Sequence, residues 1–348
     1  MKLPLLIFGI AASAHAVGET NISFNYNLYL ESNDEGFEKQ EGLADPGRTH
    51  SIGLNPYLEF AGTQEDLSWT VYFNVDSEAV SDGIEVAKAT KKFGSLTVHA
   101  GKDYTHSGGW DNENADYDVN LVNQFTSDYV FGGGAAKLVQ LDYQLGQHTL
   151  SLQLTDDVVK TSLDGDGSCP EVTRNCLRYS GDKGQPAFLF EYVGILPPHF
   201  QPLLQIASYD NGHSLETTVG VQFNFFTVTG YLDYVLNKVG YQLGDEDLVD
   251  TMSAITFDLR YQAPKYVLRL KYVDFDVEQD TNISANSDRE SFDDNHTGVQ
   301  LGFDWTAYGA EFTPYLELIQ ISQDVLDNGG EEETLNEMSL IAGVKGSI

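Results

Sequence analysis

An all-β chain, closed into an antiparallel transmembrane barrel of about sixteen strands, is what the order of residues predicts, and three observations carry the prediction. Apolar and polar residues alternate with period two along most of the chain, the pattern of strands with one apolar and one polar face. Tight connections take turns with long acidic ones, the asymmetry of a barrel whose ends face different compartments. Charged residues fall in mid-strand on the polar face; a dry sandwich would have to place them on its surface, whereas a wide barrel lines them with water.

In chain order the N-terminus comes first. Lys2, the apolar run Leu3 to Ala12 broken by Pro4 and Gly9, and the small-residue pair around His15 in Ala14-His15-Ala16 form a secretory signal with its cleavage site. Residues 1–16 are expected to be removed, leaving 17–348 as one barrel domain. No later stretch approaches the ~18–20 uninterrupted apolar residues of a spanning helix. Asp and Glu number 53 against 19 Lys and Arg, a formal net charge of −34, which argues against nucleic acid as a partner.

The strands follow. In "NISFNYNLYLES" Ile22, Phe24, Tyr26, Leu28 and Leu30 share one side, while Ser23, Asn25, Asn27, Tyr29 and Glu31 share the other. Leu67, Trp69, Val71, Phe73 and Val75 repeat the pattern, as do Val219, Val221, Phe223 and Phe225, and later Ile255 to Tyr261, Tyr266 to Tyr272 and Val299 to Trp305. The first five strands are expected near 20–31, 50–61, 67–77, 84–93 and 95–104. Turns at Gly146-Gln147, Pro197-Pro198 and Ala263-Pro264-Lys265 are tight; 105–134, 156–185, 237–250, 278–296 and 323–335 read as long and acidic. Tyr57, Phe60, Tyr104, Tyr261, Tyr266 and Trp305 sit where interfacial girdles belong. Glu59, Asp76, Asp142, Asp258, Arg260, Arg269 and Lys271 take the inward phase.

One connection stands apart. Residues 105–134, after the fifth strand, far exceed the usual loop length of about 4–6 residues. Asp111, Glu113, Asp116, Asp118 and Asp128 give this segment a negative rim, Gly108 and Gly109 allow sharp reversals, and Trp110, Tyr117 and Tyr129 can hold it against a wall. Folded inward, it narrows the lumen and favours cations; the alternative is an acidic surface loop. Arg260, Arg269 and Lys271, with Lys102, form the basic wall expected to face it, unless these groups simply pair with carboxylates such as Asp258.

The stretch "GLNPYLEFAGTQEDLSWTVYFNVDS", continued by "KKFGSLTVHAGKDY", resembles the N-terminal third of the Gram-negative general porins. There an "lxFkGxEDLg" segment precedes strands and an "FGxlxlGRq" segment just before the constriction loop. Gly62, Glu65, Asp66 and Leu67 match the motif, and Lys102 stands where the family often has Arg. The resemblance implies a trimeric, sixteen-stranded porin of the Gram-negative outer membrane whose third extracellular loop folds inward as the pore eyelet. Its partners are then outer-membrane lipid and lipopolysaccharide, two further copies of itself, and the small hydrophilic solutes that pass. The terminal Ile348 departs from the Phe with which porins end.

Other chemistry finds little in the chain. Cys169 and Cys176 read as a local disulfide, because no His or third Cys lies nearby to complete a metal site. "DGDGS" at 164–168 lacks the downstream Glu of a calcium loop. No cofactor is expected beyond weak divalent-cation binding by acidic outer loops. Nucleophile-elbow, zinc-protease and phosphate-loop motifs are missing, so no enzyme is expected. Two alternatives to a general diffusion channel remain: a sugar-preferring channel with Tyr104, Trp110 and Tyr117 as a stacking track, and a structural or adhesive barrel.

Overall fold

The computed structural model describes residues 19–36, 49–74, 84–113, 135–155, 187–196, 199–209, 214–243, 246–278, 294–309, 311–326 and 332–347. The expected signal peptide and both cysteines lie outside them. Sixteen strands close into one antiparallel barrel: β1 (Glu19–Gly36), β2 (Thr49–Gln64), β3 (Leu67–Asn74), β4 (Ile84–Phe93), β5 (Leu96–Tyr104), β6 (Ala135–Leu145), β7 (His148–Thr155) and β8 (Ala187–Gly194), then β9 (Phe200–Tyr209), β10 (Ser214–Phe225), β11 (Val228–Leu243), β12 (Glu246–Ala263), β13 (Tyr266–Glu278), β14 (Asp294–Asp304), β15 (Thr313–Leu326) and β16 (Glu332–Ser347). Each strand pairs with its neighbours in the chain, and β1 pairs with β16, from Asn25 opposite Ser347 to Gly36 opposite Asn336. Closure leaves no sheet edge, the condition for placing strands in lipid.

Short hairpins set this order. Two-residue turns join β2 to β3, β4 to β5, β6 to β7, β10 to β11 and β12 to β13, all at one end. Tight hairpins favour a positive φ, which Gly94 and Gly146 take at 61° and 63°. The longest connections, after β1, β3, β5, β7 and β13, gather at the other end, where the segment after β5 is the third and β11 joins β12 through two residues.

Exposure reveals what the alternation is for. Leu152, Leu154, Phe188, Leu232, Leu301 and Leu340 are exposed, while Gln153, Gln205, Glu216, Asp258, Lys271 and Gln300, on the opposite phase, are buried. A soluble protein has the reverse arrangement, so the outer face is built for hydrocarbon and the inner one for polar groups. Leu270, Leu301, Leu318 and Leu340 form one register row across β13 to β16 in this belt. Aromatics edge it at the short-turn end: Tyr266 stacks on Phe303 at 5.9 Å between centroids, and Trp305 meets Tyr308 at 5.6 Å. Tyr57 departs from that expectation, because it stands opposite Asn25 and Asn74 on the inner face.

Strand boundaries at the long-connection end also depart from expectation. In place of a long connection over 237–250, β11 continues to Leu243 and β12 starts at Glu246. Likewise β15 runs to Leu326 and β16 begins at Glu332. Apolar alternation stops where the belt stops, yet the backbone ladder continues: Tyr241 still faces Leu248 and Gln242 faces Asp247. Above the bilayer both faces of a strand meet water, so sequence alternation has nothing to record there.

The inverted faces generate a quantitative expectation. Leu318→Arg, in the register row of the belt, should lower unfolding free energy in vesicles by about 2–4 kcal/mol if the row lies at the midplane. Phe226→Arg, at the almost fully exposed tip of the β10–β11 turn, should change it by less than about 1 kcal/mol. Urea titration followed by tryptophan fluorescence reads both, and similar losses would contradict the assignment of the belt.

Candidate functional site

Beyond Tyr104 the chain leaves the ladder and runs along the inner wall. Thr105, Ser107, Trp110 and Asp111 are buried, and Gly109–Glu113 forms a short helix, α1. The backbone N–H of His106 donates to Gln153 Oε1 on β7 at 3.3 Å, and its ring Nδ1 lies 3.6 Å from Glu191 on β8. Next, Gly108 N donates to Glu216 Oε1 on β10, Gly109 N to Gln205 Oε1 on β9, both at 2.9 Å, and Asp111 N to Asp233 Oδ2 on β11 at 2.8 Å. Every acceptor is a side chain of the inner face. How residues 114–134 continue lies outside the described residues.

Asp111 closes this strap. Its Oδ1 accepts the Tyr231 hydroxyl and the Lys271 ammonium of β13, each at 2.5 Å, and Asp111 and Lys271 are only 3% and 1% exposed. Trp110 donates Nε1 to the Gln201 carbonyl at 3.2 Å and packs its ring with Leu203, Tyr231 and Val193. Carboxyl oxygens of Glu216 and Asp233 each accept a backbone N–H of the strap, so these two side chains anchor it at either side of Gly109.

Glycine on both surfaces permits the close approach. Gly109 has φ 77°, and a Cβ there would come within 2.8 Å of the Asp233 carboxyl carbon. Across from it, a Cβ on Gly220 would overlap Asp233 Oδ1 and press Trp110 Cδ1 at 3.0 Å. The acceptors are themselves tied together: Gln205 donates to Glu191 at 2.7 Å, Gln153 to Gln140 at 3.2 Å, and Gln140 to Asp142 at 2.8 Å. His99 bridges Asp142, at 2.7 Å, and Thr90, at 2.8 Å. Polar side chains are thus linked from β4 to β7 and again from β8 to β9, and His106 of the strap meets both groups, at Gln153 and at Glu191.

The expected site residues separate into three groups. Arg260, Arg269 and Lys271 face inward on adjacent strands, Arg260 directly opposite Arg269. They pair locally: Arg260 with Asp258 at 3.0 Å, Arg269 with Asp304, and Lys271 with Asp111, so Lys271 touches the segment it was expected to confront across a gap. Glu113 ends α1; its side chain, with Asp116, Tyr117, Asp118 and Asp128, lies outside the described residues.

Lys102 and Tyr104 correct the expectation. Lys102 stands opposite Ala87 and Lys137, in the phase of the exposed Val139 and Leu141, and its Nζ donates to the Ile84 carbonyl at 2.6 Å. The β4–β5 register places Lys88 opposite Gly101, so Lys88, bound to Asp103 at 2.6 Å, is the inward lysine of this sector. Tyr104 shares the outward phase of Lys102, and with the Trp110 ring buried, two of the three track aromatics offer no stacking face to the lumen.

Gln153, Glu191, Gln205, Glu216, Tyr231 and Asp233 escaped the sequence reading. All occupy inward phases, which is a signal, but a water-lined face accepts any polar residue and so does not single them out.

The sequence matches no family profile and no curated protein. Solved structures share the fold. The outer membrane channel DcaP of Acinetobacter baumannii superposes with a TM-score of 0.62 at 15% identity, over 95% of this chain and all 100% of that one. A loop L8 deletion mutant of OmpT, an outer membrane protein of Vibrio cholerae, gives 0.60 at 13%, over 94% and 99%. The anion-selective porin of Comamonas acidovorans gives 0.54 at 12%, over 95% and 100%. At these identities the likeness is one of fold: this chain shares the closed, sixteen-stranded antiparallel barrel of those outer-membrane proteins.

The buried pair sets a test of the strap. Asp111→Asn or Lys271→Met alone should cost about 3–5 kcal/mol, since each leaves a buried partner uncompensated, whereas the double replacement should cost far less. Equilibrium unfolding in vesicles measures the cycle, and additive losses would contradict direct contact.

Proposed function

We propose that this barrel is a water-filled channel of the outer membrane through which small hydrophilic solutes and ions diffuse passively, and that the segment after β5 sets its narrowest point. The observation that carries the reading is the strap laid against the inner wall from β7 to β13, which has no use in a barrel that only anchors or adheres. The channel and porins among the structures of the same fold support it. Diffusion through such a passage requires no catalysis and no cofactor. Assembly as a homotrimer belongs to the same proposal and is read by analytical ultracentrifugation in detergent.

Cation preference is the finer part of the proposal. Because the Comamonas porin of the same fold is anion-selective, selectivity has to reside in side chains. Among the described residues of the inner phase, Glu59, Asp103, Asp142, Glu191, Glu216, Asp258, Asp304 and Glu317 outnumber Lys88, Lys92, Arg260, Arg269, Lys271 and Lys345. An acidic passage concentrates cations and repels anions. With Asp111 neutralised by Lys271, the preference falls to Glu113, Asp116, Asp118 and Asp128 together with the wall. The sugar-preferring alternative loses support from the outward Tyr104 and the buried Trp110.

Single-channel recording in planar bilayers under a salt gradient tests both parts. Replacing Glu113, Asp116, Asp118 and Asp128 by their amides should shift the reversal potential markedly toward anions. The same change at Asp327, Glu331, Glu332 and Glu333 should shift it far less, because surface charge is screened within a Debye length of about 8 Å at physiological salt. Equal shifts would remove the constriction from the account, and a folded barrel passing no steady current would overturn the channel itself.

A further inference from the structure

On the inner wall, outside the strap, three side chains from three strands form a chain of hydrogen bonds. His99 of β5 stands opposite Thr90 of β4 and Gln140 of β6 in the ladder. Its Nε2 lies 2.7 Å from Asp142 Oδ2 on β6, and its Nδ1 lies 2.8 Å from Thr90 Oγ1. Gln140 Nε2 donates to the other Asp142 oxygen at 2.8 Å and holds the carboxylate in place. An ionised carboxylate only accepts, so His99 Nε2 carries the imidazole proton and Nδ1 is left to accept from the Thr90 hydroxyl. A hydroxyl, a base and a group that orients the base thus stand within hydrogen-bond reach of one another, the arrangement of an activated nucleophile. Thr90 and Asp142 lie 9 and 43 positions from His99 in the chain, which is why no local motif announces them.

The His99 and Asp142 side chains are 20% and 21% exposed, against 1% for Gln153 and Gln205, so a solute in the lumen reaches them. Lys92 follows Thr90 by two residues on the same inner face of β4, about 6.6–6.8 Å along the strand. It is exposed, and its ammonium has no partner among the described residues; Lys88, on the other side of Thr90, is held by Asp103. A cation beside a nucleophile stabilises the negative charge that develops on an attacked carbonyl oxygen. We propose that Thr90, His99 and Asp142 form a hydrolytic site for small carboxylic esters in the wall of the lumen, with Lys92 facing the oxyanion. Thr90 Oγ1 attacks the ester carbonyl carbon while its proton passes to His99 Nδ1, and Asp142 stabilises the imidazolium. Cleavage of the ester C–O bond releases the alcohol, which takes that proton and leaves an acyl group on Thr90. Water then repeats the two steps, releasing the carboxylic acid and restoring the Thr90 hydroxyl.

A solute must enter the lumen to meet Thr90, so this inference rests on the channel reading, and the two are tested side by side. The folded barrel in nonionic micelles is given p-nitrophenyl acetate, whose turnover is followed by absorbance. A second sample receives a fluorophosphonate, which loses fluoride and leaves its phosphoryl group on the attacking oxygen; peptide mass spectrometry finds the label, expected on Thr90. Thr90→Val, close in shape, and His99→Gln should each lower turnover about a hundredfold and abolish the label. Thr90→Ser keeps the hydroxyl and should stay within about threefold of the wild type. Lys92→Met should lose about tenfold or more, whereas Lys91→Met, on the outward face opposite Leu67 and Val98, should leave turnover unchanged. Turnover or label that survives Thr90→Val, a label on another residue, or equal losses in Lys91→Met and Lys92→Met overturns the site. Single-channel conductance of the same preparations keeps the two readings apart: current without turnover overturns the site alone, and turnover without current overturns the channel alone.

Discussion

The Asp111 carboxylate, enclosed by the Tyr231 hydroxyl and the Lys271 ammonium, is the contact on which the interior depends. Neither charge is stable alone away from water, so each requires the other to be in place. Lys271 is fixed by β13, and Asp111 can reach it only if the strap crosses β7 to β11 first. That route is available because Glu216, Gln205 and Asp233 accept the N–H groups on the way, and because Gly109 and Gly220 leave no side chain between the two surfaces. A local ion pair thereby fixes a segment that begins on the far side of several strands.

The barrel supplies the setting in which such a contact is worth making. Closure through β1 and β16 satisfies the backbone within the sheet, leaving side chains to decide what each face meets. Outward, the register row from Leu270 to Leu340 meets hydrocarbon; inward, Gln153, Glu191, Gln205, Glu216 and Asp233 give the strap a polar bed. The carboxylates of that bed serve twice, as acceptors for the strap and as the acidic lining invoked for cation preference.

Strand phase was legible from the sequence because lipid on one side enforces apolar residues at every second position, and Ile255, Phe257, Leu259 and Tyr261 obey it. It ceased to be legible where that enforcement ends, so β11 and β12 extend through 237–250 unannounced. Lys102 was misread for a related reason: near the rim the belt tolerates a lysine on either face, and only the pairing of β4 with β5 decides that Lys88 turns inward. Sequence composition drew attention to Asp111 and Trp110, but their partners lie between 91 and 160 positions away in the chain, beyond what a single sequence can connect.

The central claim is that wall carboxylates hold the strap and the held strap limits the passage. Single-channel conductance of Glu216→Ala/Asp233→Ala, in a barrel whose folding is verified by circular dichroism, addresses it most directly. Release of Gly108 and Asp111 from their acceptors should raise the open-channel conductance and its current noise above those of the wild type. A conductance and noise indistinguishable from the wild type would contradict the claim.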